Sequence, residues 1–485
     1  MITELHCNLN GPTVELRHPW RMCVGSGHAT LALRSDWQAQ LTTASRELGF
    51  KYVRFHGLLD DDMGTLICQS DAFIYSFFNA DQIFDFLLSI GMRPIVELSF
   101  MPSTLSSGDD IVFHYKGNVT PPRHIEQWGE LMRRLAAHWV ERYGIEEVTQ
   151  WYFEVWNEPN LRAFWTGEQR QYFDLYATTF RAIKGVDARL RVGGPATAGN
   201  AWILEFQQYC AEQTVPPDFI STHYYPTDAF GEIGADTITQ LEHAPLDVMR
   251  QHALIAKEEA AGKPLLYTEW NITSNPRDPL HDGAEAAALA VRIVMGVDDV
   301  VQAYSYWTFT DIFEENYFPS VPFHGGFGLM NLHGIRKPIY HAFAMVAKLG
   351  PAHYPVEQSH PSMALWMGAY DSQEQTSHAL AINQAMPRHP IEPVPLRLCI
   401  TTPAGQRATR VSITRIDADH ANPVALWRDW GAPDYLLPAQ VVQLQAAGTP
   451  VPEMLTLSDV DGALVIEATL AQQSTNLVRI DWTAA

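Results

Sequence analysis

Short apolar runs alternate with longer amphipathic segments along most of the chain. Segments such as 124–144 and 285–300 place apolar residues at intervals of three and four, which is the period of an amphipathic helix. The intervening runs are rich in β-branched and aromatic residues and predict strands. This alternation predicts a parallel sheet with crossover helices. The predicted strands are 21–33, 51–59, 93–102, 150–159, 190–197, 218–226, 263–272 and 300–311.

The number of strand–helix units indicates a closed barrel. Eight units over about 300 residues fit a (β/α)8 TIM barrel better than an open doubly wound sheet. No G-x-G-x-x-G motif follows a predicted strand, since Gly193 and Gly194 precede a proline, so a dinucleotide-binding fold is not favoured. We therefore predict an α/β fold with a TIM barrel at its centre.

The pattern changes after about residue 345. Short strand-like runs broken by turn residues follow one another to the C-terminus, which is typical of an antiparallel β-sandwich, with one helix-like segment at 438–448. Segment 13–18 precedes the barrel, and we expect it to add an edge strand to the sandwich. The predicted domains are a barrel at 1–345, whose first 15 or so residues pair with the sandwich, and an accessory β-sandwich at 346–485.

The charge balance argues against several classes of partner. Lys and Arg number 33 and Asp and Glu 55, and the resulting formal net charge of −22 repels nucleic-acid phosphates and anionic membranes. The N-terminus lacks the basic start and apolar run of a signal peptide, and no apolar stretch approaches the length of about 18 residues needed to span a membrane. The five cysteines lack C-x-x-C spacing, which argues against a disulfide framework and a thiolate zinc site. We expect a cytoplasmic protein.

The candidate chemistry lies where the predicted strands end, because TIM barrels carry their active sites at the C-terminal ends of the strands. Glu158 ends strand four and Glu269 ends strand seven. Two carboxyl groups facing one another across a barrel mouth, one as acid and one as nucleophile, are typical of a glycosidase. For Glu158 the alternative is a helix N-terminal cap before Pro159. Other strand-end residues are His56, Asn157, His223, Tyr225 and Trp307.

The segment WYFEVWNEPN at 151–160 carries the strongest signal. Glu154, Trp156 and Glu158 share a parity, so we expect them on one side of the strand, with Asn157 elsewhere unless the strand ends in a bulge or turn. Glu158 then lies at the mouth. Glu154 lies deeper, as a buried polar group satisfied by partners inside the barrel.

Several separated segments resemble glycoside hydrolase family 39, the β-xylosidases of a larger clan of retaining TIM-barrel glycosidases. WNEP is shared across the clan, whereas YKGNVTPP and DIFEE narrow the resemblance to this family. It covers the barrel and, more loosely, the sandwich. The matching segments are YVRFHGLLDDDMG, SFMPSTLSSGDDIVFHYKGNVTPP, WNEPN, HYYP, YTEWN, WTFTDIFEE and FHGGFGLMN.

The resemblance implies roles for the residues nearest the reaction. Glu158 matches the general acid/base of a retaining mechanism and Glu269 matches its nucleophile. Asn157 is expected to donate to the sugar 2-hydroxyl, and Tyr225 is expected to donate its hydroxyl to Glu269. Arg54 is expected to favour the ionised form of the same carboxylate. The alternative for Arg54 is a structural salt bridge in the barrel core.

The resemblance also implies contacts with the sugar. His56 and His223 are expected to bind sugar hydroxyls, and Trp307 to form the platform under the ring, since indole rings stack on the apolar faces of sugars. The alternatives are two structural histidines and a packed indole.

The adjacent Glu314 and Glu315 are expected to accept hydrogen bonds from the hydroxyls of the bound monosaccharide. Two neighbouring acids on a loop are otherwise usually only solvated. Phe113, after strand three, is expected to close one wall of the pocket.

The implied activity is release of terminal β-D-xylose from the non-reducing end of xylooligosaccharides, without a cofactor or a metal. A small-molecule substrate is the only partner implied. The same family holds α-L-iduronidases, which require cationic groups for the uronic carboxylate, and the acid-rich pocket segments rank that activity lower. Activity on α-L-arabinosides stays open, because these sugars differ from β-D-xylopyranosides at one hydroxyl.

Two alternatives come from other classes of protein. One is a sugar-binding barrel without activity, and the presence of both Glu158 and Glu269 counts against it. The other is a metal-dependent amidohydrolase, which requires an H-x-H motif on strand one. Strand one offers only His28.

Overall fold

A closed barrel of eight parallel strands lies at the centre of the computed structural model, which describes residues 2–70, 72–228, 236–315, 317, 319–357, 360–460 and 463–484. Strand β8 pairs with β1 and closes the barrel. Each strand overlaps its predicted segment, and the TIM barrel is confirmed. Strands β1 to β8 are Cys23–His28, Tyr52–His56, Arg93–Leu98, Tyr152–Val155, Arg191–Ala198, Phe219–His223, Leu265–Trp270 and Ala303–Tyr306.

A helix follows each barrel strand and packs on the outside of the sheet. In the third helix, Trp128, Leu131, Leu135 and Trp139 are buried at helical spacing, which gives it one apolar face. None of the helices in the described ranges combines the length and hydropathy that crossing a bilayer requires. Helices α1 to α8 are Ser35–Leu48, Phe78–Ser89, Ile125–Tyr143, Gln169–Lys184, Ile203–Gln213, Val248–Glu259, Ala284–Gly296 and Pro338–Ala347.

Shorter elements decorate the loops of the barrel. Most of them lie at the carboxyl ends of the strands, where they form the walls above the barrel. They are the short α-helices Ile145–Val148 and Thr237–His243, the 3-10 turns Pro19–Arg21, Ala29–Leu33, Asp61–Met63 and Pro279–Asp282, and the two hairpins Leu66–Gln69 with Ala72–Tyr75 and Ile111–Val112 with Gly117–Asn118.

The strand pairing becomes irregular near the carboxyl ends of several strands. The register shifts after Gly25 in β1, after Pro195 in β5, after Thr222 in β6 and after Tyr267 in β7. Such bulges change the direction in which the following side chains point. They lie at the end of the barrel that carries the candidate residues.

Two sheets form the β-sandwich. The N-terminal strand pairs in parallel with Val394–Thr401, so this sheet is mixed rather than purely antiparallel, whereas Val14–Glu15 pairs antiparallel at the edge of the larger sheet. In order, the smaller sheet contains Thr3–Asn8, Val394–Thr401, Ala463–Leu470 and Ser458–Val460. The larger contains Val14–Glu15, Ala352–Tyr354, Met363–Gly368, Thr376–Asn383, Ser474–Ala484, Gln406–Ile416 and Pro452–Leu455.

The larger sheet packs on helix α7 of the barrel. Along Thr376–Asn383, Ala379 and Ala381 belong to the core between the two sheets, whereas Leu380 and Ile382 join the core of the barrel. This alternation follows from the two-residue period of a strand. Arg292 of α7 also donates to the backbone oxygen of Ser362, at 3.0 Å. Helix α8 ends at Ala347, two residues after the boundary predicted from the sequence.

Two helices interrupt the sandwich, Pro423–Asp429 and Pro438–Gly448. The expectation of a single helix at 438–448 was wrong because the first helix has only seven residues, too few to show a helical period. Trp427 packs against Phe323 with ring centroids 5.5 Å apart. Since Phe323 lies between β8 and α8, the helical pair supports a loop of the barrel.

Candidate active site

A cavity of about 770 Å³ lies at the carboxyl ends of the barrel strands. Most of the predicted site residues line it. Arg54 and His223 are fully buried beneath the lining, and Glu314 lies outside it. The predicted residues that line the cavity are His56, Phe113, Asn157, Glu158, Tyr225, Glu269, Trp307 and Glu315.

Asn157 and Glu158 both reach the cavity because strand β4 ends early. The strand stops at Val155, and Trp156 and Glu158 adopt left-handed backbone conformations with φ of 74° and 45°. Trp156 therefore packs outward, 5.0 Å from the ring of Trp165, and not on the side of Glu154. The expectation that Trp156 shares a side with both glutamates was wrong, because strand parity does not extend through a turn.

The guanidinium of Arg54 joins three barrel strands at the floor of the cavity. Its Nε lies 2.5 Å from Glu154 Oε2, its Nη2 lies 2.8 Å from Glu97 Oε2 and from Asn157 Oδ1, and its Nη1 lies 3.1 Å from Glu269 Oε2. Burial by itself lowers the pKa of Arg54, but the surrounding carboxylates outweigh burial and raise it. A permanent positive charge therefore lies beneath the site.

Both carboxyl oxygens of Glu269 accept hydrogen bonds. Tyr225 donates its hydroxyl to Oε1 over 2.6 Å, and Arg54 donates to Oε2. Burial and the charge of Glu269 raise the pKa of Tyr225, so the phenol keeps its proton and remains a donor. These contacts stabilise Glu269 as a carboxylate and fix its orientation.

Glu158 occupies a different environment from Glu269. Burial raises the pKa of Glu158 to about 7, while the charges of His56 and Arg54 act in the opposite direction. Its carboxyl Oε1 lies 3.0 Å from His223 Nδ1. One ligand oxygen of Glu158 and one of Glu269 lie within 4.8 Å of each other. Two neighbouring carboxyl groups in such different surroundings can act as acid and nucleophile.

One wall of the cavity is aromatic. The ring of His56 lies 4.6 Å from that of Trp307 and 6.2 Å from that of Phe113. His56 Nδ1 is fixed by Glu97 at 2.8 Å, which turns the other ring nitrogen toward Glu315 at 3.5 Å. The indole of Trp307 also requires a glycine at position 25, since a Cβ there would lie 2.4 Å from the ring.

The adjacent Glu314 and Glu315 have separate surroundings. Glu315 lines the cavity, and burial raises its pKa to about 8, with the charges of Glu269 and Glu158 adding to the effect and that of His56 opposing it. Glu314 turns away and accepts from His28 Nδ1 over 2.9 Å. The backbone oxygen of Glu315 accepts from the amide of His114 at 3.0 Å. Glu315 therefore faces the cavity and Glu314 does not, and a sugar contact of Glu315 stays a prediction.

Sequence reasoning missed three groups that the structure adds to the site. Glu97 fixes both Arg54 and His56, and the signal was an acid inside the apolar strand RPIVEL. Thr268 bonds to the ring of His223, and no pattern in the sequence pointed to it. Further lining residues at the mouth come from loops, among them Asn160, Leu161, Phe164, Asp228, Asn275, Arg277 and Phe327.

Glu158, His223 and Glu269 bring three potential metal ligands within 4.8 Å. A divalent cation bound to Glu269 would lie beside the guanidinium of Arg54, which contacts the same carboxylate at 3.1 Å. Repulsion between the two cations makes this group a poor metal site.

A barrel with a pair of glutamates at its mouth is typical of glycoside hydrolases. The sequence profile described as Glycosyl hydrolases family 39 matches residues 4–464, and the chain belongs to this family. A β-xylosidase from Caldicellulosiruptor saccharolyticus is 46% identical over 428 residues, which cover 88% of this chain and 87% of the relative.

Solved structures of the family superimpose over almost the full length. A monomeric β-xylosidase from Caulobacter crescentus CB15 gives a TM-score of 0.89 at 33% identity and covers 99% of both chains. A family 39 enzyme from Xanthomonas axonopodis pv. citri gives a TM-score of 0.88 at 34% identity, covering 99% of this chain and 98% of that one. The predicted family is confirmed, and the protein is an enzyme that acts on carbohydrate.

The contacts of His28 generate a prediction about stability. Burial lowers the pKa of His28, but contacts with Asp60, Asp62 and Glu314 outweigh burial and raise the pKa from 6.5 to about 11. The imidazolium therefore stabilises the fold fully below pH 6.5 and progressively less as the pH rises toward 11. Replacing His28→Gln is expected to lower the free energy of unfolding by about 1.5–3 kcal/mol at pH 6, the value of hydrogen bonds to charged groups.

The difference in melting temperature between His28→Gln and the parent protein, measured from pH 6 to pH 10, should shrink as the pH rises. His124→Gln, at an exposed histidine, serves as the control and should melt with the parent at every pH. A difference that stays constant over this range would show that His28 is not held as an imidazolium.

Proposed function

We propose that the protein is a retaining β-xylosidase that releases terminal β-D-xylose from the non-reducing end of xylooligosaccharides. The observation that carries the proposal is the contrast between two neighbouring glutamates. Glu269 accepts from Arg54 and Tyr225, whereas burial raises the pKa of Glu158 to about 7. The names of the relatives, which are β-xylosidases, support the choice of sugar.

In the first step, the carboxylate of Glu269 attacks the anomeric carbon of the xylosyl residue. Glu158 gives its proton to the leaving oxygen, the glycosidic bond breaks, and a covalent glycosyl-enzyme forms. Arg54 and Tyr225 keep the nucleophile ionised and oriented before the attack.

In the second step, Glu158 is a carboxylate and takes a proton from water, which displaces Glu269 from the sugar. Retaining enzymes place their two carboxyl groups about 5–5.5 Å apart, and inverting enzymes about 6.5–9.5 Å apart to make room for a water molecule. The approach of Glu158 and Glu269 oxygens to within 4.8 Å supports the retaining mechanism.

The sugar is held by the residues around this pair. Asn157 accepts from Arg54 through Oδ1, which leaves its amide NH2 to donate to the 2-hydroxyl. His56 and Glu315 bind the remaining hydroxyls, and Trp307 and Phe113 pack on the apolar surface of the ring. We assign Glu314 a supporting role, because its carboxylate is bound to His28.

The positions of the proposed catalytic and sugar-binding residues separate the roles of the barrel and the sandwich. All of them belong to the barrel region 1–345, and the described lining of the cavity contains no residue beyond Phe327. The sandwich at 346–485 is then an accessory domain. It packs against α7 and against the loop that carries Phe323, and so supports the barrel.

Assays with aryl glycosides test the proposed substrate. We expect the highest kcat/KM with phenyl β-D-xyloside and a lower value with the α-L-arabinopyranoside. The β-D-glucoside should be at least about tenfold poorer, because it carries a hydroxymethyl group that the proposed pentose substrate lacks. Glu269→Gln serves as the control for contaminating activity. A preference for the glucoside or for an α-L-iduronide would contradict the proposal.

Variants of the two glutamates test their separate roles. Glu269→Ala should show no detectable turnover of 2,4-dinitrophenyl β-xyloside, and azide should restore turnover and yield the α-xylosyl azide, because azide replaces the missing nucleophile. Glu158→Ala should instead yield the β-xylosyl azide, since the nucleophile is still present. NMR of the anomeric proton distinguishes the products. Glu126→Ala, at an exposed position, should behave as the parent. Substantial turnover by Glu269→Ala without azide would show that Glu269 is not the nucleophile.

The pH dependence tests the protonation of Glu158. Since Glu158 donates a proton in the first step, kcat/KM for phenyl β-xyloside should fall as the pH rises above about 7, where this carboxyl loses its proton. The fall should be absent with the 2,4-dinitrophenyl xyloside, whose leaving group departs without a proton. Glu315→Gln should keep the fall, although the pKa of Glu315 is also raised. If kcat/KM of Glu315→Gln no longer fell at high pH, the fall would report the ionisation of Glu315 and not that of Glu158.

A further inference from the structure

A continuous chain of buried hydrogen bonds leads from Arg54 to Glu158. Arg54 Nε donates to Glu154 Oε2 at 2.5 Å, and the hydroxyl of Thr268 lies 2.6 Å from Glu154 Oε1. The same hydroxyl oxygen lies 3.1 Å from His223 Nε2, and His223 Nδ1 lies 3.0 Å from Glu158 Oε1. The members between the two ends are fully buried, so each polar atom must find its partner within the chain.

The direction of these hydrogen bonds follows from the number of protons available. A carboxylate held against a guanidinium has no proton and only accepts, so the contact between Thr268 and Glu154 requires the single hydroxyl proton of Thr268. The oxygen of Thr268 must then accept from His223, which places a proton on Nε2. A neutral imidazole carries one N–H, so Nδ1 of His223 presents a lone pair to Glu158.

The lone pair on His223 Nδ1 favours the protonated form of Glu158. A carboxylate oxygen 3.0 Å from an unprotonated ring nitrogen would bring two acceptors together, whereas a protonated carboxyl donates an O–H···N bond. Burial lowers the pKa of His223 to about 4, so the ring is neutral at the pH where the enzyme would act.

We propose that the chain Arg54–Glu154–Thr268–His223 fixes the Nε2–H tautomer of His223 and thereby holds a proton on Glu158. His223 and Thr268 are then positioning residues that act through Glu158 and do not bind sugar. The proposal rests on the role of Glu158 as general acid/base proposed above. It revises the expectation that His223 binds a sugar hydroxyl.

The same arrangement serves both steps of the reaction. In the first step the proton passes from Glu158 to the leaving oxygen, and the O–H···N bond to His223 is lost as the carboxylate forms. In the second step the carboxylate faces an unprotonated nitrogen, which favours the return of a proton from the attacking water. The preference for the protonated state keeps the proton on Glu158 before the first step, although it lowers the acid strength of the carboxyl group, and it makes Glu158 a stronger base in the second step.

Other charged groups face Glu158 and His223. Glu269 Oε2 lies 3.7 Å from His223 Nδ1, which is too long for a hydrogen bond, so the tautomer depends on the hydrogen bond between His223 Nε2 and Thr268. Thr268 reaches Glu158 only through His223, and a change at Thr268 also removes the donor to Glu154. The remaining groups that act on Glu158 or lie beside it are His56, Arg54, Glu97, Asp228, Glu269 and Glu315.

The matched pair Thr268→Val and Thr268→Ser tests the proposal. Valine has nearly the same shape but no hydroxyl, so Nε2 of His223 loses its acceptor and the ring is free to place its proton on Nδ1. That tautomer donates to ionised Glu158, and the basic limb of kcat/KM for phenyl β-xyloside should move down by about one pH unit. Serine restores the hydroxyl and should restore the limb. An unchanged limb in Thr268→Val would overturn the proposal.

Nitrogen NMR of the protein labelled with ¹⁵N-histidine reads the tautomer directly, with His223→Gln to assign the signal. The parent protein should show a protonated Nε2 and an unprotonated Nδ1 at pH 6, and Thr268→Val should reverse this. A protonated Nδ1 in the parent would overturn the proposal even if the valine variant fails to fold. This measurement needs no substrate, so it remains distinct from the assays with aryl xylosides, in which failure would count against the proposed function.

Discussion

The buried guanidinium of Arg54 is the interaction on which the rest of the site depends. It contacts carboxylates from β3, β4 and β7, as well as the amide of Asn157 after β4. A buried charge is costly unless it is fully paired, and removing one partner of such a group typically costs about 3–5 kcal/mol. The barrel must therefore bring these strands into one register around Arg54. Arg54 contacts Glu269 but not Glu158, and this difference suits the two glutamates to different roles.

The barrel and the pair of glutamates were predictable because they depend on topology. Parallel strands of a barrel end at one rim, so residues at the ends of predicted strands meet whatever their separation along the chain. Side-chain direction was less predictable. The parity of strand β4 did not predict the direction of Trp156, because a left-handed turn follows the strand. The neighbouring positions of Glu314 and Glu315 did not predict that Glu314 binds His28 and lies outside the cavity. Both depend on local backbone geometry and on partners that are remote in sequence.

The accessory domain was predicted in outline and differs in detail for physical reasons. The sequence pattern predicted an amphipathic helix over 285–300. Helix α7 is instead apolar on nearly all sides, because the sandwich packs on its outer face. The helix Pro423–Asp429 escaped prediction because tertiary packing, not periodicity, stabilises so short an element. Its Trp427 packs against Phe323, so the accessory domain and the rim of the barrel share one apolar cluster.

The parallel pairing of Thr3–Asn8 with Val394–Thr401 has a consequence for the order of folding. Next to that strand, Asn10 donates to the backbone oxygen of Thr402, a partner 392 positions later in the chain. Ribosomes add about 5–20 residues per second, so the N-terminal strand waits about 20–80 s for the strand that completes its hydrogen bonds. The barrel strands emerge within that interval and can close first. The strand Thr3–Asn8 is thus synthesised long before its partner, and until Val394–Thr401 emerges its unpaired edge is open to aggregation.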